Sequence, residues 1–439
     1  MVSVQLVNHL DRNKLLYKHQ YGFQRNKSTE HNLIHAVNYI GKALNEEKYC
    51  VGVFFDLKKA FDVCNHDILL MKLSKMGIRG NALNWFKNYL SERKQRVDIN
   101  GHLSTQKDVK ISILQGSILG PILFLCFIND LHSVSSLLTL MFADDTFALD
   151  SGPDLNTVIL NINREINKMA VWFRSNKLAV NINKTKYMVF RMKGKKIDNN
   201  IANVEYNENE AGEPFDPNLV TPLERFHDNH ENIDCRAYKL LGVYLDEHLT
   251  FDKHTAHITN KLTRSLYCIK KAKNILSIKG MKALYSSLVH SHLTYCPIIM
   301  NCISSTNRQK IIQVQKKAVR IMSNSKYNDH TAPIFKKYNI LPYDKIIKQA
   351  KLMFMHSIEY KYAPASFNDI WIKNDQRAAT QTLRDDDKYH LPQARTEAFK
   401  KIPLYSLPEE WNKHNDMRYQ NNKTTFKWAL RAQLFDEIE

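Results

Sequence analysis

Cysteine is scarce and unframed in this chain. Seven residues, Cys50, Cys64, Cys126, Cys235, Cys268, Cys296 and Cys302, are scattered with no CxxC pair. An odd count without framework spacing excludes a disulfide scaffold and fits reduced thiols. Long apolar runs are missing too. The most apolar stretch, residues 118–128, is too short to span a bilayer and contains Gly120 and Pro121. The first residues lack the charged start, apolar core and small-residue cleavage site of a signal peptide. The expectation is an intracellular protein, nuclear or cytoplasmic, with no membrane partner. Acidic residues are the remaining shortage. They number 44 against 63 lysines and arginines, leaving a net charge of +19. A surplus of that size implies a polyanionic partner, nucleic acid before anionic membrane.

The 439 residues are enough for two or three domains with proper cores. Residues 28–47 carry Leu33, Ala36, Val37, Ile40 and Leu44 at helical spacing, with Ser28 or Thr29 as cap. Residues 50–56 switch to a buried-strand pattern. Helices are predicted over 66–76 and 81–91, with Gly77 ending the first. Residues 93–113 read as a hairpin turning at Asn100-Gly101. A helix begins near Pro121. Residues 137–149 read as two short strands joined at Asp144-Asp145. One apolar stripe, Leu155 to Phe173, predicts a long helix, and 187–191 a further strand. Residues 194–236 are rich in Asn, Asp, Glu and Pro and show no period, which predicts a mobile insertion. A strand pattern returns at 238–246, and 253–360 is helical and basic. The last seventy or so residues are polar with islands of Trp and Phe and yield no assignment. This order suits a mixed sheet backed by helices, followed by a helical domain.

Acids among apolar strand residues carry the chemical signal. Asp56 ends the run VGVFF, while Asp144 and Asp145 stand between LMFA and TFAL. A desolvated carboxylate is costly unless a cation compensates it, and two side by side repel. Alone, Asp56 reads first as a strand end meeting water. Divalent cations remove both objections, and magnesium prefers carboxylate oxygens together with substrate phosphates.

The segments FFDLKKAFD, QGSILGP and FADD occur in the order of the palm motifs of reverse transcriptases. The flanking text, including HQYGFQRNKST, FINDL, WFRSNKLAVNINKTKYMVF and YKLLGVYLDEHLTFDKH, resembles retrotransposons without long terminal repeats, of the Jockey-like kind. That resemblance implies an α+β, right-hand polymerase fold: a palm with an antiparallel catalytic sheet, partial fingers and a helical thumb. It implies partial fingers over 1–49 and a palm with a fingers hairpin over 50–193. A polar insertion follows over 194–236, then a primer-grip hairpin over 237–252, a thumb over 253–360 and an extension over 361–439. The implied activity is RNA-directed DNA polymerisation with two Mg2+ ions, Mn2+ being a substitute. The implied partners are an RNA template, a DNA primer and deoxynucleoside triphosphates. Asp56 and Asp144 would hold both ions, and Asp145 would assist. Phe61 matches the residue that excludes a ribonucleotide 2′-hydroxyl. Leu57, Gln115, Gly116 and Arg25 match nucleotide-contacting positions, and Lys184 matches a lysine that protonates the departing pyrophosphate. The thumb helices carry Lys261, Arg264, Lys270 and Lys271 for the sugar-phosphate backbone.

The chain departs from that pattern in places. Leu114 stands where relatives carry proline, and Gln24 where they carry arginine. The first fingers strand and the endonuclease domain have no counterpart, so the expectation is an endonuclease supplied from elsewhere. Two readings therefore stand together: an active polymerase, or a catalytically inactive nucleic-acid-binding remnant of a decayed element.

Overall fold

The computed structural model describes residues 1–109, 111–114, 116–197, 201–209, 216–227, 230–374, 388–414 and 420–438. They form two compact units. The first comprises residues 1–28, 48–189 and 194–225; the second comprises 29–47, 190–193 and 226–439.

The first unit is built on a five-stranded sheet, whose strands we number in chain order: β1 Tyr49–Phe55, β2 Leu138–Phe142, β3 Asp145–Gly152, β4 Lys186–Phe190 and β5 Glu224–Phe226. Their spatial order is β5-β4-β1-β3-β2. β1 lies in the middle, which explains its unbroken apolar run: all but its first residue are buried. It pairs antiparallel with β3, and β3 with β2. The helix Leu155–Ser175 packs on β1 and β3. Its stripe from Leu155 to Phe173 is buried, and the Asp154 carboxylate caps it by accepting the Thr157 N–H at 2.8 Å. Each fully buried side chain of that stripe contributes about 1.5–3 kcal/mol. The helix Leu119–Ile128 is apolar on every face, and most of its side chains are buried in the same core.

The hairpin predicted over 93–113 forms as two short ladders. Lys94–Gln95 pairs with Lys107–Asp108, and Asp98–Ile99 with His102–Leu103. Asn100 and Gly101 both take positive φ, 52° and 86°, as a two-residue turn of this hand requires.

The polar stretch after residue 194 has more structure than its composition predicts. Its described residues include a pair of three-residue strands, Glu205–Asn207 and Val220–Pro222, and then β5 on the edge of the sheet. Val204, Tyr206 and Leu223 drop into the core. Among the described residues of this stretch these three are buried in that core and Ile197 and Ile201 pack beside it, too scattered to make a period, so the pattern misses them.

The second unit is mainly helical. The helix Thr29–Asn45 matches its predicted span. Tyr238–Leu240 and Val243–Leu245 form a hairpin through Leu241 and Gly242, both at positive φ. The helices Asp252–Ala272 and Ser305–Ser323 pack on each other. The unassigned C-terminal residues contribute Glu397–Lys401, Pro403–Asn412 and Lys423–Asp436 to this unit. Their aromatic islands are anchors: Trp411 and Phe426 pack around His356, while Trp371 donates its indole N–H to the Leu404 carbonyl at 3.1 Å.

Glu30, in the first turn of Thr29–Asn45, accepts the Ile298 N–H at 2.8 Å. Burial pushes its carboxyl up to about 7 from the usual 4.5, and that one hydrogen bond offsets burial only in part. The folded state therefore holds this proton more tightly than the unfolded chain. Stability is lost as pH rises from 4.5 towards 7 and is level above. Glu30→Gln keeps the acceptor for Ile298 and removes the charge. It is expected to raise the melting temperature at pH 8 by at least about 2 °C and to flatten its slope between pH 5 and 7. Parallel thermal melts at pH 5 and pH 8 check this; equal slopes in the two proteins would refute it.

Candidate active site

The last residue pair of the β2–β3 ladder is Phe142 with Asp145. The turn is therefore Ala143-Asp144, one residue earlier than the predicted Asp144-Asp145, and Asp145 opens β3. Ala143 takes φ 57°. A non-glycine residue in that left-handed region costs roughly 1–2 kcal/mol and persists only where its surroundings impose it.

The β1–β3 register then brings the third acid in. Phe55 pairs with Thr146, so the next step on each strand sets Asp56 across from Asp145. Residues facing each other across an antiparallel pair lie about 5 Å apart. Three carboxylates separated by almost ninety residues of chain thus share one end of the sheet.

Their electrostatics follow from that crowding. Desolvation, then the charges of Asp144 and Asp56, push Asp145 up to about 6 from the usual 3.8, although its side chain reaches solvent. Asp144 is also raised, by desolvation first and by the Asp56 charge; the backbone N–H groups of Asp144 and Asp145 work the other way. At Asp145 both neighbouring charges are negative and act in the same direction as burial. An oxygen-rich cluster short of positive charge fits hard divalent cations.

Asp56 is fixed by its backbone. Its carbonyl accepts the Asn181 N–H at 2.7 Å, and its N–H donates to the Thr185 hydroxyl at 3.3 Å. Lys58 N–H reaches the Ala179 carbonyl at 2.8 Å, and Leu57 bridges Val180. Lys184 lies exposed in this 181–185 turn, so the chain that braces Asp56 also carries the lysine. The Leu57 side chain is buried in the core.

Phe61 is half-buried. Its ring stacks on Phe124 at 4.2 Å and meets the exposed Phe23 edge-on at 6.4 Å. The Phe61 carbonyl accepts the Ile113 N–H at 2.8 Å, which lays the segment leading to Gly116 beside it. Gly116 takes φ 78° with open space where a Cβ would stand. Gln115 lies outside the described residues. Arg25 is exposed in the turn after Phe23.

Sequence reasoning missed the segment that holds the hairpin tip. Tyr21 N–H donates to the Met141 carbonyl at 2.8 Å, Met141 N–H to the His19 carbonyl at 3.0 Å, and Gln20 forms a parallel bridge with Met141. The buried Gln20 amide reaches Ala143 itself. HQYGF was visible as a motif, but nothing in its spacing points to a partner more than a hundred residues away.

In the second unit, Lys261, Arg264, Lys270 and Lys271 are exposed on the helix Asp252–Ala272. Among the described residues no helix is long and apolar enough to cross a membrane.

The family model described as reverse transcriptase (RNA-dependent DNA polymerase) matches residues 1–273. The RNA-directed DNA polymerase from mobile element jockey of Drosophila melanogaster is 26% identical over 346 residues, 76% of this chain and 35% of that protein. The probable RNA-directed DNA polymerase from transposon X-element of the same organism is 23% identical over 337 residues, 74% of this chain and 34% of that protein. This chain thus spans about a third of the length of the curated relatives it matches. Among solved structures, the apo telomerase of Candida tropicalis is similar with a TM-score of 0.40 and 13% identity, over 77% of this chain and 52% of that one. A family match over more than half of its residues means that this chain belongs to the reverse transcriptase family, alongside the polymerases of Jockey-like retrotransposons.

Proposed function

We propose that this chain polymerises DNA on an RNA template for a mobile element, adding deoxynucleotides to a primer 3′-hydroxyl. The observation that supports it most is the convergence of Asp56, Asp144 and Asp145 on one end of the sheet. Asp56 and Asp144 would hold two Mg2+ ions, or Mn2+ in their place, with Asp145 assisting. Bound there, the ions would supply Lewis-acid activation of the attacking hydroxyl and charge neutralisation at the leaving pyrophosphate.

The chain's own residues do the rest. The primer 3′-hydroxyl gives up its proton to water as its oxygen attacks the α-phosphorus and the bond to pyrophosphate breaks. Lys184, carried by the turn that braces Asp56, donates a proton to the departing oxygen. Phe61, backed by Phe124, presents a rigid wall to the sugar and excludes a 2′-hydroxyl. Gly116, with no side chain and open space around it, lets backbone approach the nucleotide and template; Gln115 beside it shares that role. The Leu57 side chain is committed to the core, so this residue meets the nucleotide through its main chain. Arg25, exposed, pairs with the triphosphate. The 238–245 hairpin supports the primer end, and the basic face of Asp252–Ala272 tracks phosphates. In this reading residues 1–49 are fingers, 50–193 palm and 253–360 thumb, and the protein works in the nucleus or cytoplasm.

A nucleic-acid-binding remnant would need none of the three carboxylates, and all three are present and converge. Primer extension by the purified chain on an RNA template with Mg2+ tests the proposal. No product over a broad range of metal and salt would reject it and leave the remnant.

Phe61→Ala opens the wall. Discrimination against ribonucleotides is expected to fall at least about tenfold, because one steric contact in a pocket is worth 1–3 kcal/mol. Extension with each nucleotide type, compared as kcat/KM, measures the ratio; an unchanged ratio would return Phe61 to core packing.

A further inference from the structure

We infer that Gln20 is a positioning residue that fixes the Ala143-Asp144 turn, and with it the metal-holding carboxylates, through its side-chain amide. The inference rests on the proposed polymerase site. Gln20 is 2% exposed. Its Oε1 accepts the N–H of Ala143 and the N–H of Gly22, each at 2.9 Å. Its Nε2 donates to the Ala143 carbonyl at 3.2 Å. One amide thereby takes hold of the turn residue on both sides, at its N–H and at its C=O. That residue is the one at φ 57°, immediately before Asp144.

The amide is itself held. Gln20 N–H donates to the Tyr17 carbonyl at 3.1 Å. Its own carbonyl accepts from Gln24 Nε2 at 2.7 Å and from Lys27 Nζ at 2.8 Å. On either side, His19 and Tyr21 bond to Met141 of β2. The clamp is therefore anchored on the strand that leads into the turn, and what it holds is the two-residue tip.

An amide satisfies this set with no net charge and no added proton. An ionised carboxylate at position 20 could accept from both N–H groups but could not donate to the Ala143 carbonyl, and it would add a fourth negative charge beside three; only by binding a proton could it match the amide. A thioether of similar length would fill the space and leave both polar groups of Ala143 without partners in a buried place. With the clamp gone, a left-handed alanine has fewer contacts to impose its conformation, and Asp144 moves with it.

Gln20→Met and Gln20→Glu test this in the full chain. Displacement of a reacting group by about 1 Å costs about 10²-fold, and kcat for primer extension is expected to fall by that order in Gln20→Met. KM for deoxynucleotide and the dissociation constant for primer–template should stay within about twofold of wild type. Mn2+ binding, followed by electron paramagnetic resonance without turnover, should weaken about tenfold, and raised metal should restore part of the extension. A purely structural role would lower the melting temperature and leave the affinity of the remaining folded protein for Mn2+ unchanged; that result overturns the inference. So does loss of cooperative folding in both variants, which would assign Gln20 to the fold. If wild type binds Mn2+, Gln20→Met weakens that binding, and neither extends a primer, the clamp stands while the polymerase reading fails.

Discussion

Asp144→Asn is expected to silence primer extension by at least about 10³-fold, the equivalent of about 4 kcal/mol of lost transition-state stabilisation, while the metal-free protein melts at a higher temperature. The two effects have one origin. In the absence of metal, the cluster sets Asp144 beside the charge of Asp56 and in a partly desolvated place, and both raise its carboxyl. An amide removes that charge and keeps an oxygen of similar shape, so repulsion is relieved and cation affinity is lost. Asp145→Asn should show the same thermal gain with a smaller loss of activity, since Asp145 reaches solvent and in the proposed site would only assist Asp56 and Asp144. The sign with pH follows. Asp145 titrates near 6 in the fold and near 3.8 unfolded, so the wild-type fold loses stability as pH rises through that window. The gain from Asp145→Asn is therefore full above pH 6 and gone below about pH 4. Melts with chelator at pH 4 and pH 8, beside extension assays with Mg2+, read both. A variant that keeps wild-type extension, or melts lower at pH 8, would dissolve the link between crowding and function.

That cluster was the most legible part of the sequence, and the reason is physical. Acids in apolar strand text are rare because burial is costly, so Asp56, Asp144 and Asp145 stood out before any fold was known. The β1 run and the Leu155–Ser175 stripe were equally plain, since burial on both faces or on one face writes its period directly into the residues. The turn lies one residue before the position that the sequence predicts. Ladder register decides it, and register is set by pairing with β1 and by the clamp from Gln20, neither of which is local. Around residue 205 the strands are three residues long, too short for alternation to show. At the C-terminal end, Trp411 and Phe426 look like isolated aromatics because both pack on His356, more than fifty residues away, instead of on their own neighbours. The amide of Gln20 left no trace at all. A buried glutamine matched to main chain looks in sequence like any polar surface residue.

Gly22→Ala, in the same segment, should be as damaging to the fold as any single methyl can be. A Cβ at position 22 would run into the Ala143 backbone nitrogen, with Ala143 Cα and the Phe142 carbonyl carbon next at 3.1 Å. Gly22 does not take positive φ, so the glycine is required for space and not for conformation. Every atom in the way is main chain of the hairpin tip, which cannot rotate aside as a side chain can. Nor can Gly22 retreat, because its N–H is bonded to Gln20 Oε1 and its neighbour Tyr21 to Met141. Overpacking of this kind costs typically 1–3 kcal/mol, and with rigid partners about 3 kcal/mol is expected. Any relief must come from pushing Ala143 outward, so extension should fall about 10²-fold in whatever protein remains folded. Gly41→Ala is the contrasting control: its Cβ would meet side-chain atoms of Ile402, Cδ1 nearest and then Cγ2 and Cγ1 at 3.2 and 3.3 Å, and a side chain can shift where main chain cannot. Denaturant midpoints and extension rates of the two variants decide between space and chance. Equal, small effects would mean that the 19–22 segment yields easily, and that the tip carrying Asp144 is not held from that side.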